Sequence, residues 1–179
     1  MFAQPIVALI YSDSDAADRA MRDIADRLAA AGWRLAGLVQ HNERRPDRAR
    51  CDMILQELAS GELIAISEDR GPQARGCSLR VDQLLRAAEL LQAALRDAPD
   101  LVILNKFGKT ESEGGGLRPA IASAIDAGAP LLVAVPYRNL DNWRAFVGDM
   151  ATEITLGDRT DSVSTTIDAL RAGRASAGR

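Results

Sequence analysis

The fold is decided by the stretch from residue 101 to residue 135, which reads LVILNKFGKTESEGGGLRPAIASAIDAGAPLLVAV. Apolar runs at residues 101–104 and 131–135 are typical of strands that are buried on both faces. Between them, Leu117, Ile121 and Ile125 fall on one helical face, and Gly128 can end that helix. The order strand, helix, strand predicts parallel strands that are covered by helices.

The same alternation runs through the rest of the chain. Ser14 is expected to cap a first helix, and Gly32 is expected to end it. The polar residues 41–50, with four arginines and one proline, predict an exposed loop. Residues 53–58 and 63–67 predict a hairpin or two short strands. Further strands are predicted at residues 6–11, 35–40 and 153–156, and further helices at residues 79–97, 142–150 and 162–172.

These elements predict an α/β fold with three layers, in which a mostly parallel sheet carries helices on both faces. A length of 179 residues with 47% hydrophobic residues suits one domain, which we place at residues 1–172. Residues 173–179 are expected to form a flexible tail.

Composition restricts the classes of partner and the cellular compartment. A formal charge of -3 and a pI near 5.2 argue against nucleic acid as a partner, so any anion site must be local. The chain shows neither a secretory signal nor a long apolar span, which predicts a cytoplasmic protein with no membrane partner. Cys51 and Cys77 are then expected to be packed thiols without zinc.

The two lysines of the chain are the main functional candidates. Lys106 and Lys109 are the only lysines among 22 basic residues, and they lie directly after a predicted strand and before three glycines. An ammonium is a compact point charge, whereas the guanidinium of arginine is a planar fork, so this restriction indicates a function in that loop. The alternative is an arginine-rich composition that leaves two lysines in an arbitrary place.

Parallel strands would bring four loops to one edge of the sheet, where α/β proteins bind ligands. The loops are residues 12–15, 41–50, 105–118 and 136–142, and together they predict a basic rim that suits an oxyanion. Consecutive glycines can offer backbone N–H groups to such an anion, or they can form a flexible hinge. Glu111 and Glu113 could pair with the lysines or point into solvent. The predicted anion-binding residues are Ser12, His41, Arg44, Arg45, Lys106, Lys109, Thr110, Ser112, Gly114, Gly115, Gly116 and Arg118.

Nucleotide hydrolysis lacks its usual residues. The phosphate-binding motif G-x-x-x-x-G-K-[ST] is absent after the first strand, where Asp13, Asp15 and Asp18 would repel phosphate. Asn105 ends a later strand in the place of a magnesium-binding acid. Asn105-Lys106 matches half of the N-K-x-D element that holds guanine, but Gly108 replaces its acid. We therefore assign no catalytic residue and no metal ligand, although His41 could donate to an anion or bind a metal.

Several segments carry a resemblance to a known family: LVILNKFGK at residues 101–109, GGGLR at 114–118, LLVAV at 131–135, GCSL at 76–79 and WRAF at 143–146. With them the chain resembles a little-characterised bacterial family related to kinase-like P-loop nucleoside triphosphatases, over most of residues 5–157. Related active triphosphatases have a D-E-I-G-K-like segment, of which only Gly108 and Lys109 are present. The resemblance implies a P-loop-NTPase-like fold without a functional Walker A loop, and a link to molybdenum uptake.

The residues and the resemblance together predict a non-enzymatic oxyanion-binding protein. Its expected ligand is molybdate, tungstate or oligomeric molybdate, held for storage or delivery, and no cofactor is required. We expect a homo-oligomer, because a polynuclear anion would need contacts from a second subunit. The alternatives are a residual nucleotide-binding protein or triphosphatase, and an interaction module whose arginine-rich loop binds an acidic partner.

Overall fold

The computed structural model describes residues 6–44, 51–68, 78–157 and 161–177. Its main sheet has seven strands in the spatial order β4-β3-β2-β7-β8-β1-β9, and β5 and β6 form a separate antiparallel pair. The strands are β1 (Ile6–Tyr11), β2 (Leu35–Arg44), β3 (Cys51–Glu57), β4 (Leu63–Ala65), β5 (Ser67–Glu68), β6 (Ser78–Leu79), β7 (Leu101–Asn105), β8 (Leu131–Pro136) and β9 (Ala151–Thr155).

Helices cover both faces of this sheet and complete the three layers. The helices are α1 (Ser14–Ala30), α2 (Val81–Arg96), α3 (Lys109–Ser112), α4 (Arg118–Asp126), α5 (Leu140–Val147) and α6 (Asp161–Ala177). Helices α1 and α6 pack on one face, and α2, α4 and α5 pack on the other. The predicted α/β architecture is therefore confirmed.

The central strands are parallel, and this sets the position of the candidate site. Strand β1 pairs in parallel with β8 and β9, while β7 pairs in parallel with β2 and β8. Every residue of β1, β7 and β8 is buried, which explains why these strands read as unbroken apolar runs. Their carboxyl ends lie at one edge of the sheet.

A close contact between β2 and β7 depends on a glycine. Gly37 has a φ of +129°, and a Cβ atom at this position would collide with the carbonyl group of Ile103 in β7. Only glycine combines this φ with such an approach to a neighbouring backbone. Gly37 therefore allows β2 to join the parallel strands, and β3 and β4 extend the sheet beyond it in antiparallel orientation.

Several predicted boundaries are wrong for identifiable reasons. Strand β2 continues to Arg44 because it pairs with β3, so residues 41–44 of the expected loop are strand, and residues 45–50 lie outside the described part of the chain. Asp13, rather than Ser14, caps α1, because its carboxylate accepts hydrogen bonds from two backbone N–H groups. Helix α6 runs to Ala177, so residues 173–177 of the predicted tail are helical.

Other observed boundaries differ from the predicted ones by a few residues. The helix predicted at residues 142–150 is α5 followed by a 3-10 turn, Gly148–Met150, and β9 begins directly after that turn. The hairpin predicted around Ser60 and Gly61 is confirmed as β3 and β4. Helix α3 was not predicted. Across the four described ranges, no helix combines the length and the apolar character that a membrane span requires.

Candidate functional site

The candidate site lies at the carboxyl edge of the parallel strands. The turn after β1, the segment after β7 and the segment after β8 all begin at this edge, as predicted. Strand β2 reaches the same edge and continues past it to Arg44. Open α/β sheets bind their ligands at such an edge.

The connection between β1 and α1 is short, and the carboxylate of Asp13 within it accepts hydrogen bonds from the backbone of α1. It consists of Ser12 and Asp13 alone. Asp13 Oδ1 accepts hydrogen bonds from Asp15 N at 2.9 Å and from Ala16 N at 3.1 Å. These N–H groups would otherwise be available to a phosphate at the start of the helix. An external anion at this turn would therefore meet the negative charge of Asp13, and the N–H groups of Asp15 and Ala16 already donate to that carboxylate.

Asp18 and Asn105 form a buried polar contact behind this turn. Asn105 Nδ2 donates to Asp18 Oδ1 at 2.7 Å, and both residues are largely shielded from solvent. Burial raises the pKa of the Asp18 carboxyl, although the hydrogen bond from Asn105 and the charges of Lys106 and Arg22 oppose the increase. Asn105 Oδ1 has no hydrogen-bond partner among the described residues.

Tyr11 lies beside the same contact. Burial and the nearby charge of Asp18 raise the pKa of its phenol to about 12, while a hydrogen bond with Ser14 and the charge of Arg138 act in the opposite direction. The phenol therefore stays neutral across the physiological range. The end of β1 thus lies beside the buried carboxyl of Asp18, which does not favour binding of an anion there.

Glu111 closes the glycine-rich segment after β7. Its Oε2 accepts a hydrogen bond from Gly108 N at 2.8 Å, and its Oε1 accepts one from Leu117 N at 2.9 Å. The carboxylate is buried inside the loop. Glu111 therefore neither pairs with a lysine nor points into solvent, which were the two expected alternatives.

The glycine run does not form the expected anion cradle. Gly114 N donates to the carbonyl of Glu111 at 3.1 Å, and Gly115 N donates to the carbonyl of Thr110 at 2.9 Å. Gly116 has a φ of +56°, and a Cβ atom there would collide with Glu111 Oε1. The glycines therefore let the chain fold tightly around the Glu111 carboxylate, and the N–H groups of Gly114 and Gly115 donate to carbonyl groups of the same loop.

A cavity of about 220 Å³ opens between this loop and the β2–β3 hairpin. Four predicted residues line it: Lys106, Lys109, Thr110 and Gly116. We call this space the lysine cavity. Its remaining lining includes the amides of Gln40 and Asn105 and an apolar wall, which we define as Met53, Leu55, Ile66 and Leu84.

The two lysines differ in their surroundings. The Lys109 side chain is 84% exposed, and its Nζ lies 4.0 Å from Glu113 Oε1, which is itself exposed. Such an exposed pair contributes little and is easily exchanged for another anion. Lys106 is half-buried, and its side chain packs over Gly108. The two lysines thus line the same cavity with different degrees of exposure.

Other predicted residues lie elsewhere. The Arg118 guanidinium stacks on the Phe146 ring at 4.6 Å and donates to the carbonyl of Glu111. Ser112 Oγ donates to the carbonyl of Gly108. Ser12, Gly114 and Gly115 are outside the lining of the cavity. Arg45 and the side chain of Arg44 fall outside the described part of the chain.

His41 points away from the lysine cavity. Successive side chains of a strand lie on opposite faces of the sheet, and Gln40 occupies the face of the cavity. His41 Nδ1 lies 3.4 Å from Arg22 Nη1, and His41 Nε2 lies 2.9 Å from Gln56 Oε1. Since arginine can only donate, Nδ1 accepts, and Nε2 carries the hydrogen that it donates to Gln56. His41 therefore does not line the lysine cavity, and its contact with an anion stays a prediction.

The apolar wall is the part of the site that sequence reasoning missed. Its residues come from β3, from the residue after β4 and from α2, all distant in sequence from the lysines. Their apolar spacing is the same as that of ordinary core residues, so it held no signal of a cavity. Within the four described ranges, no group of three or more His, Cys, Asp and Glu side chains is arranged to hold a metal ion.

Comparison with known proteins shows relatives of this chain in sequence and in fold. The molybdenum import ATP-binding protein ModC 2 of Bradyrhizobium diazoefficiens is 34% identical over 149 residues. The match covers 83% of this chain but only 17% of that protein, so the chain spans about a sixth of the length of this relative.

The crystal structure of THEP1 from the hyperthermophile Aquifex aeolicus superposes with a TM-score of 0.65 and covers 91% of this chain and 95% of its own. The sequence identity of 14% shows a shared fold alone. The family model described as "Protein of unknown function (DUF2478)" matches residues 6–162. The chain therefore belongs to the DUF2478 family.

Proposed function

We propose that this protein binds a small oxyanion in the lysine cavity. One observation carries the proposal: the only two lysines of a chain with a net charge of -3 line the same cavity, at the edge where this type of sheet binds ligands. A chain with 20 arginines against two lysines (22 basic residues less two) would rarely place both lysines there by composition alone.

The positive charge in the cavity is available to a ligand. Glu111 directs both carboxylate oxygens at backbone N–H groups, so it does not form an ion pair that would occupy Lys106. Among the described residues, the ion-pair partner of Lys109 is the exposed Glu113, at 4.0 Å. Charge-assisted hydrogen bonds are roughly twice as strong as neutral ones. Two ammonium groups with the Thr110 hydroxyl therefore suit a dianion.

Molybdate and tungstate are the first candidates for this anion. A relative at 34% identity is named for molybdenum import, and this supports molybdenum as the element involved. We propose storage or delivery and not catalysis, because the cavity offers ammonium, hydroxyl and amide groups while the Glu111 carboxylate is used inside the loop.

Isothermal calorimetry with molybdate, sulfate and phosphate tests the proposal. We expect heat with molybdate, and binding at least about tenfold weaker in Lys106→Ala/Lys109→Ala, because each charge-assisted contact contributes more than 1 kcal/mol. Arg19→Ala/Arg171→Ala is the matched control, since it removes two exposed positive charges from α1 and α6. Unchanged binding in the lysine variant would remove the cavity from the proposal, and no heat with any anion would refute it.

Nucleotide binding is the second candidate, and the fold shared with THEP1 favours it. The ATP-binding name of the relative points the same way. Against it, the cavity of about 220 Å³ is smaller than the roughly 300–1,000 Å³ of pockets for drug-sized ligands. Magnesium-dependent hydrolysis of ATP or GTP that is lost in Lys109→Ala would favour this candidate over oxyanion storage.

A further inference from the structure

We infer that the ligand of the lysine cavity joins its oxyanion head to an apolar body of about the size of one ring. The inference rests on the proposed function, because it concerns the same cavity and the same lysines. It adds the chemical class of the ligand: an organic ester or complex of an oxyanion, in preference to the bare ion.

The two sides of the cavity differ in chemistry. The loop after β7 contributes Lys106, Lys109 and Thr110 together with Glu111 and Leu117, while β3, the residue after β4 and α2 contribute the apolar wall. Leu55 and Ile66 are almost completely buried, and Met53 and Leu84 are half-buried at the edge of the core. A ligand in the cavity therefore meets positive charge on one side and hydrocarbon on the other.

An apolar wall is unfavourable for a bare dianion. Such an ion is strongly hydrated, and hydrocarbon groups remove its water without replacing the lost hydrogen bonds. An organic body, in contrast, gains free energy by covering the same wall, since burial of apolar area is favourable in proportion to the area removed from water.

The size of the cavity limits the organic body. A volume of about 220 Å³ lies below the range of pockets that enclose drug-sized ligands, so a whole nucleotide would not be enclosed. It exceeds the roughly 30 Å³ that one water molecule occupies in the liquid several times over, which leaves room for a head group and one ring. The ligand is therefore small and amphipathic.

A pair of probes with the same head group tests this inference. Phenyl phosphate and inorganic phosphate differ only in the ring, and both can be titrated into the protein by calorimetry. We expect phenyl phosphate to bind about tenfold more tightly, because one face of the ring covers the apolar wall. Lys106→Ala/Lys109→Ala should weaken the binding of both probes.

Variants of α2 test whether the apolar wall causes the difference in affinity between phenyl phosphate and inorganic phosphate. Leu84→Ala should lower the affinity for phenyl phosphate about three- to tenfold and leave inorganic phosphate unchanged, since only the ring contacts the wall. Leu90→Ala is the matched control: Leu90 is a half-buried leucine of the same helix that packs on the core outside the cavity. It should change neither affinity.

The outcomes separate this inference from the proposed function. Equal affinities for the two phosphates would overturn the inference, and so would an equal loss of affinity for both in Leu84→Ala. Lysine-dependent binding of molybdate or phosphate would still support the proposed function. Absence of binding for phenyl phosphate, phosphate and molybdate alike would overturn both. A thermal melt of each variant checks that it is folded.

Discussion

The turn after β1 and the loop after β7 begin at the same edge of the sheet, yet they differ in what they offer a ligand. The first is two residues long and ends in the cap of α1. The second, residues 106–117, contains a short helix, four glycines and both lysines, and it borders a cavity. The loop after β7 is therefore the better candidate site, although the phosphate loop of P-loop proteins follows the first strand.

In both segments a carboxylate accepts hydrogen bonds from backbone N–H groups of the same segment. Asp13 accepts from backbone N–H groups at the start of α1, and Glu111 accepts from Gly108 N and Leu117 N inside its loop. Each segment thus satisfies backbone donors with its own carboxylate. Recognition of an external anion must then rely on side-chain charge, which only the second segment supplies at a cavity.

Replacing Glu111 should have the largest effect on stability. Glu111→Ala leaves two buried N–H groups without an acceptor, so we expect the free energy of unfolding to fall by roughly 3 kcal/mol or more. Urea denaturation measures this change. Glu113→Ala is the control, because Glu113 is exposed, and its effect should stay within about 0.5 kcal/mol. Equal effects of the two variants would show that Glu111 does not hold the loop.

Gly116→Ala should cause the second-largest decrease in the free energy of unfolding. It forces a side chain into a φ of +56° and into contact with Glu111 Oε1, and we expect a loss of about 2 kcal/mol. Gly114→Ala serves for comparison, because Gly114 also has a positive φ but nothing lies within 4 Å of its Cβ position. The difference between the two unfolding free energies isolates the contact with Glu111, and no difference would argue against it.

Asp13→Ala should cost about 1 kcal/mol, the usual effect of losing an N-cap. Asp13→Asn keeps a hydrogen-bond acceptor, so the free energy of unfolding should fall by only about a few tenths of 1 kcal/mol. The same urea denaturation measures both variants. If Asp13→Ala destabilised the protein more than Glu111→Ala, the turn after β1 would depend more on its carboxylate than the loop after β7 does, contrary to the comparison above.

The smallest effect concerns pH. Burial raises the pKa of Asp18 in the folded state, so the folded protein binds its proton more readily than the unfolded chain. The contribution of Asp18 to stability therefore decreases as the pH rises from about 4 through the raised pKa. Asp18→Asn should remove this slope from unfolding free energies measured across the acid range. A slope that persists in the variant would assign it to other groups.

The sequence predicted the parts of the molecule that leave a local pattern. Strands β1, β7 and β8 are buried on both faces, so their apolar runs were visible, and the position of the lysine loop followed from them. The role of Glu111 was not visible, because its contact with Leu117 N forms only when the glycines close the loop.

His41 was predicted in a loop but lies in β2, because pairing with β3 extends that strand, and alternation then turns its side chain to the face of α1. The apolar wall was missed because Met53 and Leu84 show the same spacing whether they face a core or a cavity. The link to molybdenum stays a prediction.

The location of a bound tungstate ion tests the central claim most directly. Tungsten has a strong anomalous signal, so a crystal of the protein grown with tungstate reveals the ion without ambiguity. We expect a peak in the lysine cavity, within about 4 Å of the Nζ atoms of Lys106 and Lys109, the usual limit of an ion pair. A peak beside Ser12 and Asp13, with the lysine cavity empty, would contradict the claim.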